Sequence, residues 1–382
     1  MKKILIVSDS LRIGGIQSSL KTFIKMLSTR EYDITLFLFN DTDKALLENS
    51  NIKIISGSRI LKTISYTASE AKQKGSVTFL IRKALALLCK IFSSNVIYKC
   101  IFFFEKRLSG YDIAISYSNN ISDRSVYFGY NKFVLEKVDA KFKIGYIHAD
   151  YDTIHFKVSD REYKKFDQIW FVSNYVKNSF LKYNNECKNK CKVIYNFIDE
   201  ERLNKIGNNP FEKNIFNIVT IGRLDKNKSQ IDAIDISMIL KENNLNFKWY
   251  LLGEGPERKN IEIEIKKNNL QDNIILLGNV SDISKYLVNS SVFVSLSKSE
   301  SYGLAIAEAL YLNTVTIVKY IPVAKEIITD NGIICKDNKE IANQIIKLNK
   351  EQDYYNRLKK KSILHYDEES NLDYICKVLE NK

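Results

Sequence analysis

The chain has 382 residues, 45% of them hydrophobic and 27% charged, with only 3 prolines and 14 glycines. That composition is enough for two folded domains and excludes a long disordered, fibrous or low-complexity chain. Its 58 lysines and arginines against 45 aspartates and glutamates give a net charge of +13, which suits nucleic acid, an anionic membrane face or a phosphorylated substrate without choosing among them.

The opening MKKILIVSDS holds two lysines and four apolar residues before Ser8. Its apolar run is too short for a secretory leader and is read as the buried first strand of a cytoplasmic protein. It leads into SDSLRIGGIQSSL, where Gly14 and Gly15 precede a helix expected to begin near Ile16. Bare glycines let a backbone approach a ligand and a helix start offers N–H groups to an anion, although a tight strand–helix turn would use the same residues. The runs DITLFLF, IKIIS, DIAISYS, FKIGYIH, QIWFVS and CKVIYNF follow. They are short, β-branched and apolar on both faces, as in a parallel sheet covered by helices. Asp41-Thr42-Asp43, a D-x-D after the first of these runs, is read as a polar turn.

Residues 68–108 break the rhythm with more helix than a crossover needs. Leu80, Ala84, Leu87, Leu88, Ile91 and Phe92 fall at helical spacing, with Lys83, Lys90 and Ser94 on the other side. This is either a buried helix with a solvated edge or a basic amphipathic helix touching an anionic bilayer. The six cysteines are scattered, and the C-x3-C pair Cys187 and Cys191 has no second pair or neighbouring histidine to complete a zinc set. They are expected to be free thiols in a reducing compartment. No apolar run is long enough to span a bilayer.

The polar stretch NKIGNNPFEKN, 204–214, separates this half from a second series of strands: FNIVTIG, FKWYLLG, NIILLGN, SVFVSLS, TVTIVK and GIICK. The expected organisation is an α/β protein of two doubly wound parallel-sheet domains, 1–205 and 206–360, facing a cleft. A terminal helix, 361–382, is expected to pack back on the first domain.

Ligands of such sheets bind beyond the carboxyl ends of the strands. In VTIGRLDKNKSQ, Arg223 and Lys228 follow a strand and can reach one point above its end, a fork-shaped guanidinium and a point-charge ammonium suited to a diphosphate. LLGEGPERKNIEIEI carries Gly253 and Gly255 after a strand, with Pro256 at a helix start. LLGNVSDISKYL offers backbone groups of Asn279 and Val280 to a base. SESYGLAIAEAL holds Glu300 and Glu308 around Gly303, where an apolar helix is expected to begin. A charge at Glu308 inside that apolar run would be costly if idle. The helix rises ~1.5 Å per residue, so the two carboxylates can lie roughly 12 Å apart, about the reach from a ribose across a diphosphate to a sugar.

Taken together, GRLDKNK, LLGEGPER, LLGNVSD and above all the E-x7-E of SESYGLAIAEAL resemble the donor domain of the retaining glycosyltransferases of family 4, of GT-B fold. GGIQ resembles that family's first-domain glycine loop. The likeness is strong from about residue 190 onward and weak over 40–140.

The resemblance implies that Arg223 and Lys228 hold a nucleotide diphosphate, Glu308 the ribose hydroxyls, and Glu300 the donor sugar. Gly303 and Leu304 would give N–H groups to the distal phosphate, Gly15 would close over it, and Asn279, Val280 and Tyr302 would line the pocket. His148, in GYIHADYD, would stand near the sugar, although a core or capping histidine fits the same place.

Breaking a sugar–phosphate bond leaves negative charge on the diphosphate, so fixed positive groups are needed there. Arg223, Lys228 and a helix N-terminus supply them without a metal or other cofactor. The implied function is transfer from a nucleotide-diphospho sugar, expected to be UDP-linked, to a glycan, lipid-linked or envelope-polymer acceptor at the inner face of the cell membrane. A GT-B sugar-nucleotide epimerase or hydrolase, and a non-catalytic GT-B subunit, are the alternatives. A nucleic-acid partner is not expected, because no aromatic-basic motif of that kind appears.

Overall fold

The computed structural model describes residues 1–12, 14–42, 52–365 and 368–381. They divide into a first unit, Met1–Phe197 with Asp367–Lys382, and a second, Ile198–Tyr366. The first unit's strands are β1 (Lys2–Ser8), β2 (Tyr32–Leu38), β3 (Lys53–Ser56), β4 (Leu108–Ser116), β5 (Val138–Ile147), β6 (Gln168–Phe171) and β7 (Cys191–Val193). The second unit's are β8 (Phe216–Ile221), β9 (Phe247–Leu252), β10 (Ile274–Gly278), β11 (Val292–Ser295), β12 (Thr316–Lys319) and β13 (Ile333–Cys335). Every apolar run read from the sequence is one of these strands.

Both sheets are parallel, with strand orders β3-β2-β1-β4-β5-β6-β7 and β10-β9-β8-β11-β12-β13. The two-sided apolar runs explain why. Ile4 to Val7 of β1 are all buried, which requires helices on both faces. In the second unit Trp249, Val292 and Ile317 of the sheet pack in one core with Ile236, Leu240, Ile341 and Ile345 of the flanking helices. In each unit the strand order reverses beside the first strand, between β1 and β4 and between β8 and β11. That reversal opens a crevice at the carboxyl ends of the strands.

Two expectations change. The units divide after Phe197, earlier than the 205/206 boundary, because the short helix Glu200–Leu203 is bound to the second unit. Arg202 pairs with Glu308, and Asn204 Nδ2 donates to Tyr311 Oη at 3.2 Å. At the other end, residues up to 366 stay with the second unit and only the helix Glu368–Glu380 joins the first, burying Leu372, Ile375 and Leu379.

The second change concerns 68–108. Three helices, Ala68–Gln73, Ser76–Phe92 and Ser94–Phe103, fill this segment, but Ser76–Phe92 is not a buried helix. Cys89 is its buried residue, while Leu80, Leu87, Ile91 and Phe92 are more than half exposed. The face that packs is the opposite stripe, Thr78, Arg82, Leu85 and Cys89, and Arg82 Nε donates to the Tyr66 carbonyl at 2.6 Å.

Candidate active site

In the second unit the loop after β8 is fixed before any side chain acts. Gly222 N donates to Leu252 O at 2.9 Å, Leu224 N to Glu254 O at 3.0 Å, and Glu257 N to Leu224 O at 3.0 Å. A Cβ at Gly253 would lie 2.1 Å from Gly222 O, and one at Gly255 would lie 2.2 Å from Leu224 O. The two glycines therefore serve loop-to-loop contact. Pro256 falls in a turn, and the helix that follows begins at Arg258. Asp225 Oδ1 accepts from Asn227 N at 3.0 Å and Lys228 N at 2.9 Å, closing an Asx turn. Asn227 then joins the loop after β11, donating from Nδ2 to Ser299 O at 2.9 Å and accepting from Lys298 N at 2.8 Å.

On this frame Lys228 Nζ pairs with Glu300, whose Oε1 also accepts from Ser297 Oγ at 2.8 Å. Arg223 does not meet Lys228 over one point as expected. Its side chain is 70% exposed and its Nε pairs with Asp225 Oδ2 at 3.3 Å. The physical reason is that Glu300 is largely buried and requires a cation, which Lys228 supplies, while Arg223 pairs with Asp225. Gly303, at φ +95°, caps the helix Leu304–Tyr311, a left-handed conformation that glycine adopts without strain. Ile306 N and Ala307 N donate to Gly303 O, so the N–H groups of Leu304 and Ala305 remain at the open first turn, where the helix dipole favours an anion.

Glu308 lies one turn further along that helix. Its carboxyl is pushed above the usual carboxylate range by burial, against which the Arg202 guanidinium pulls it down. Asn279 and Val280 follow β10, Asn279 exposed, and Tyr302 is buried beside Gly303. The structure thus gathers Lys228, Glu300 and the Gly303–Leu304 backbone at the loops flanking the second unit's strand reversal.

The first unit builds its own crevice from the ends of β1, β4 and β5. Asp9, buried, accepts from Tyr130 Oη at 3.0 Å and pairs with Arg12, while Arg12 also reaches Glu70 at 3.5 Å. Burial holds the Asp9 carboxyl above its ordinary range, with Arg12 opposing. Gly15 is exposed at the start of the helix Gly15–Ser28, where an added Cβ would meet nothing within 4 Å. His148, after β5, is buried between Tyr117 and Tyr146, with ring centroids 4.4 and 4.2 Å away. Its Nε2 is buried with no hydrogen-bond partner among the described residues. Asn119 positions it, accepting from His148 N at 2.7 Å and donating to Tyr146 O at 2.9 Å.

Asp41 is held by Lys62 and Tyr66 Oη, both at 3.1 Å, and Asp43 lies outside the described residues. The sequence reading passed over a second D-x-D, Asp150-Tyr151-Asp152. It too is occupied by protein donors: Asp150 accepts from Tyr175 Oη at 2.7 Å, and Asp152 from Lys182 Nζ at 2.5 Å. All six cysteines are free thiols.

Residues 201–365 match the family described as Glycosyl transferases group 1. That match takes in nearly all of the second unit. An uncharacterized glycosyltransferase of Methanocaldococcus jannaschii is 35% identical over 133 residues, covering 33% of each chain. The N-acetylgalactosamine-N,N'-diacetylbacillosaminyl-diphospho-undecaprenol 4-alpha-N-acetylgalactosaminyltransferase of Campylobacter jejuni is 33% identical over 125 residues, 32% of each. The chain thus matches about a third of the length of these curated relatives. Over the full length of both chains the fold is similar to that of Anabaena HepE, crystallised with UDP and glucose, at TM-score 0.71 and 17% identity. The architecture is GT-B.

Within this architecture the sequence reading missed Arg202, Ser297 and Asn227 in the second unit and Asp9, Arg12 and Asn119 in the first. A sequence signal existed only for the last of these, Asn119, as a polar run, SYSNN, at the end of an apolar strand. His148 gives a pH test. Burial lowers its pKa to about 3, whereas an unfolded histidine titrates near about 6.5. Between those values the unfolded chain binds a proton that the folded protein does not, so stability is present above about pH 6.5 and falls with acidification by about 1.4 kcal/mol per pH unit. His148→Gln lacks this loss. Denaturant unfolding of parent and variant at pH 7 and pH 4.5 should show their stability difference shifting by about 2–3 kcal/mol in the variant's favour. A difference independent of pH would mean that His148 is not held neutral.

Proposed function

We propose that the protein is a retaining glycosyltransferase of family 4 that transfers a sugar from a UDP-linked donor to a hydroxyl of a glycan or lipid-linked acceptor, without a metal. The observation that carries this reading is the convergence of Lys228, Glu300 and the glycine-capped helix start at one strand reversal. As the bond between the sugar's anomeric carbon and the diphosphate oxygen breaks, both bonding electrons go to the diphosphate. Lys228, the N–H groups of Leu304 and Ala305, and the mobile-length side chain of Arg223 are the donors that would stabilise that charge. The acceptor oxygen forms its bond to the anomeric carbon on the same face, and its proton passes to the leaving phosphate oxygen. Glu300, paired to Lys228 through one oxygen, retains the other for sugar hydroxyls, and Glu308, paired to Arg202, retains one for the ribose.

UDP as the nucleotude carrier is supported by HepE, crystallised with UDP and glucose. A lipid-diphosphate acceptor is supported by the Campylobacter transferase, whose name specifies diphospho-undecaprenol. A non-catalytic subunit would be expected to have lost one glutamate of the pair, and both are present here.

The test is incubation with a panel of nucleotide sugars, before and after exhaustive chelation, with released nucleoside diphosphate as the readout. One UDP-sugar should be consumed at a rate that chelation leaves unchanged. Consumption of no donor overturns the enzymatic reading. A rate that collapses and returns with manganese overturns metal independence.

A further inference from the structure

The helix Ser76–Phe92 turns its apolar stripe outward, and the helix Ser94–Phe103, which buries Tyr98, Ile101 and Phe102, leaves Val96 and Phe103 exposed. Leu80 is 62% exposed, and Leu87, Ile91, Phe92 and Phe103 join it on the surface, Phe103 at 80%. Phe103 and Phe104 stand edge to face at 5.3 Å. On the exposed side of Ser76–Phe92 the spacing 80, 84, 87, 91 keeps one line of apolar side chains along about 17 Å of helix. An apolar face of this size on a folded unit marks a binding surface.

Charge decides the occupant. Lys83, Lys90, Lys99, Lys106 and Arg107 are exposed within or beside the patch, and between Ala71 and Tyr111 the single acidic residue is Glu105, which is buried. A second copy of this chain seated on the patch would bring one all-basic rim against another. The partner must instead be apolar inside and negative at its surface, which describes a bilayer carrying anionic lipids.

The patch is anchored to the body of the unit. Ser93, at φ +73°, turns the chain between the two helices. Ser94 N then donates to Asp123 O at 2.5 Å, its Oγ to Ser125 O at 2.6 Å, and Arg124 Nη1 to Lys90 O at 2.6 Å. The loop that supplies these contacts leaves the carboxyl end of β4 and also carries Asn119, which positions His148. The surface is therefore rigidly tied to the edge of the sheet where the unit's crevice opens.

We propose that the face formed by residues 77–107 seats the protein on an anionic lipid bilayer, with the apolar stripe in the acyl boundary and the basic rim at the headgroups. Among the described residues no helix is long and apolar enough to cross a membrane, and this face needs none, because it lies in the interface plane. The proposal stands independently of the reaction assigned to the second unit.

Co-sedimentation of the full chain with vesicles tests it, using phosphatidylcholine mixed with phosphatidylglycerol and phosphatidylcholine alone. The parent should bind the mixed vesicles at low salt and release at high salt. The exposed triple substitution Leu87→Ser, Ile91→Ser, Phe103→Ser should lower partitioning by about a hundredfold or more. Lys83→Gln, Lys90→Gln, Lys99→Gln should lower it at least about tenfold and flatten the salt dependence. Unchanged thermal melting shows that both variants are folded. The proposal is overturned if the parent does not bind mixed vesicles at low salt, if it binds phosphatidylcholine alone equally well, or if the variants bind like the parent. It is also overturned if sedimentation velocity shows a dimer that the apolar triple dissolves, since the face is then an interface between copies.

Discussion

Lys228→Ala is expected to slow sugar transfer by about 10²–10³-fold at saturating donor, the scale seen when one preorganised donor to a developing anion is removed. The loss has two sources. A charge-assisted contact to the leaving diphosphate, worth about 1.5–3 kcal/mol, disappears. In addition Glu300, held by Lys228 and Ser297, loses its cation and with it the orientation from which it would bind the sugar. Arg223→Ala should also reduce turnover, by at least about tenfold, through the first source alone, because Arg223 touches Asp225 and not Glu300. Steady-state kinetics on both variants reads the difference. Near-normal turnover in either one removes that residue from the mechanism, and equal losses in both would mean that the ion pair with Glu300 adds nothing.

The second large effect separates the two glutamates. Glu308→Ala should weaken binding of free nucleoside diphosphate by about 10–100-fold, since a carboxylate contact to a ribose hydroxyl is worth about 1.5–3 kcal/mol. Its structural cost should be small, because the Arg202 side chain left behind is 41% exposed and can turn to water. Glu300→Gln should bind the same nucleotide nearly as well as the parent and lose transfer, since the proposed role of Glu300 is to hold the sugar. Calorimetry with the diphosphate beside a transfer assay distinguishes them. If Glu300→Gln binds and transfers like the parent, the E-x7-E pair has no divided role here.

The strands were legible because burial on both faces imposes a continuous apolar run, a constraint written directly into β1 and β8. The glycine before the helix Leu304–Tyr311 was legible for a similar reason, since a left-handed cap has few residue choices. Ion-pair partners were not legible. Lys228 meets Glu300 across 72 positions and Arg202 meets Glu308 across 106, and no local pattern encodes which cation a buried carboxylate will take. The same limit explains the helix Ser76–Phe92. Its spacing reveals an apolar stripe, but the side that packs was decided by the fit of Cys89 and Arg82 against their neighbours, which periodicity alone does not contain. The division after Phe197 escaped notice because the polar stretch 204–214 looks like a linker, while the helix preceding it is already bonded to Glu308 through Arg202, and Asn204 at its end to Tyr311.

The helix Glu368–Glu380 completes the first unit although it follows the second in sequence. Asn371 Nδ2 donates to Tyr195 O at 3.0 Å, and Leu372, Ile375 and Leu379 fill the unit's core. During synthesis, residues 1–197 emerge without the piece that covers them, and the whole of Ile198–Tyr366 must be translated before it arrives. At about 5–20 residues per second that delay is on the order of 10–30 s. Throughout it a nascent chain presents an uncovered apolar surface, which is the kind of surface that ribosome-associated chaperones hold. The second unit, continuous in sequence, can close as soon as it leaves the exit tunnel. The half of the molecule that begins first is therefore the half that finishes last.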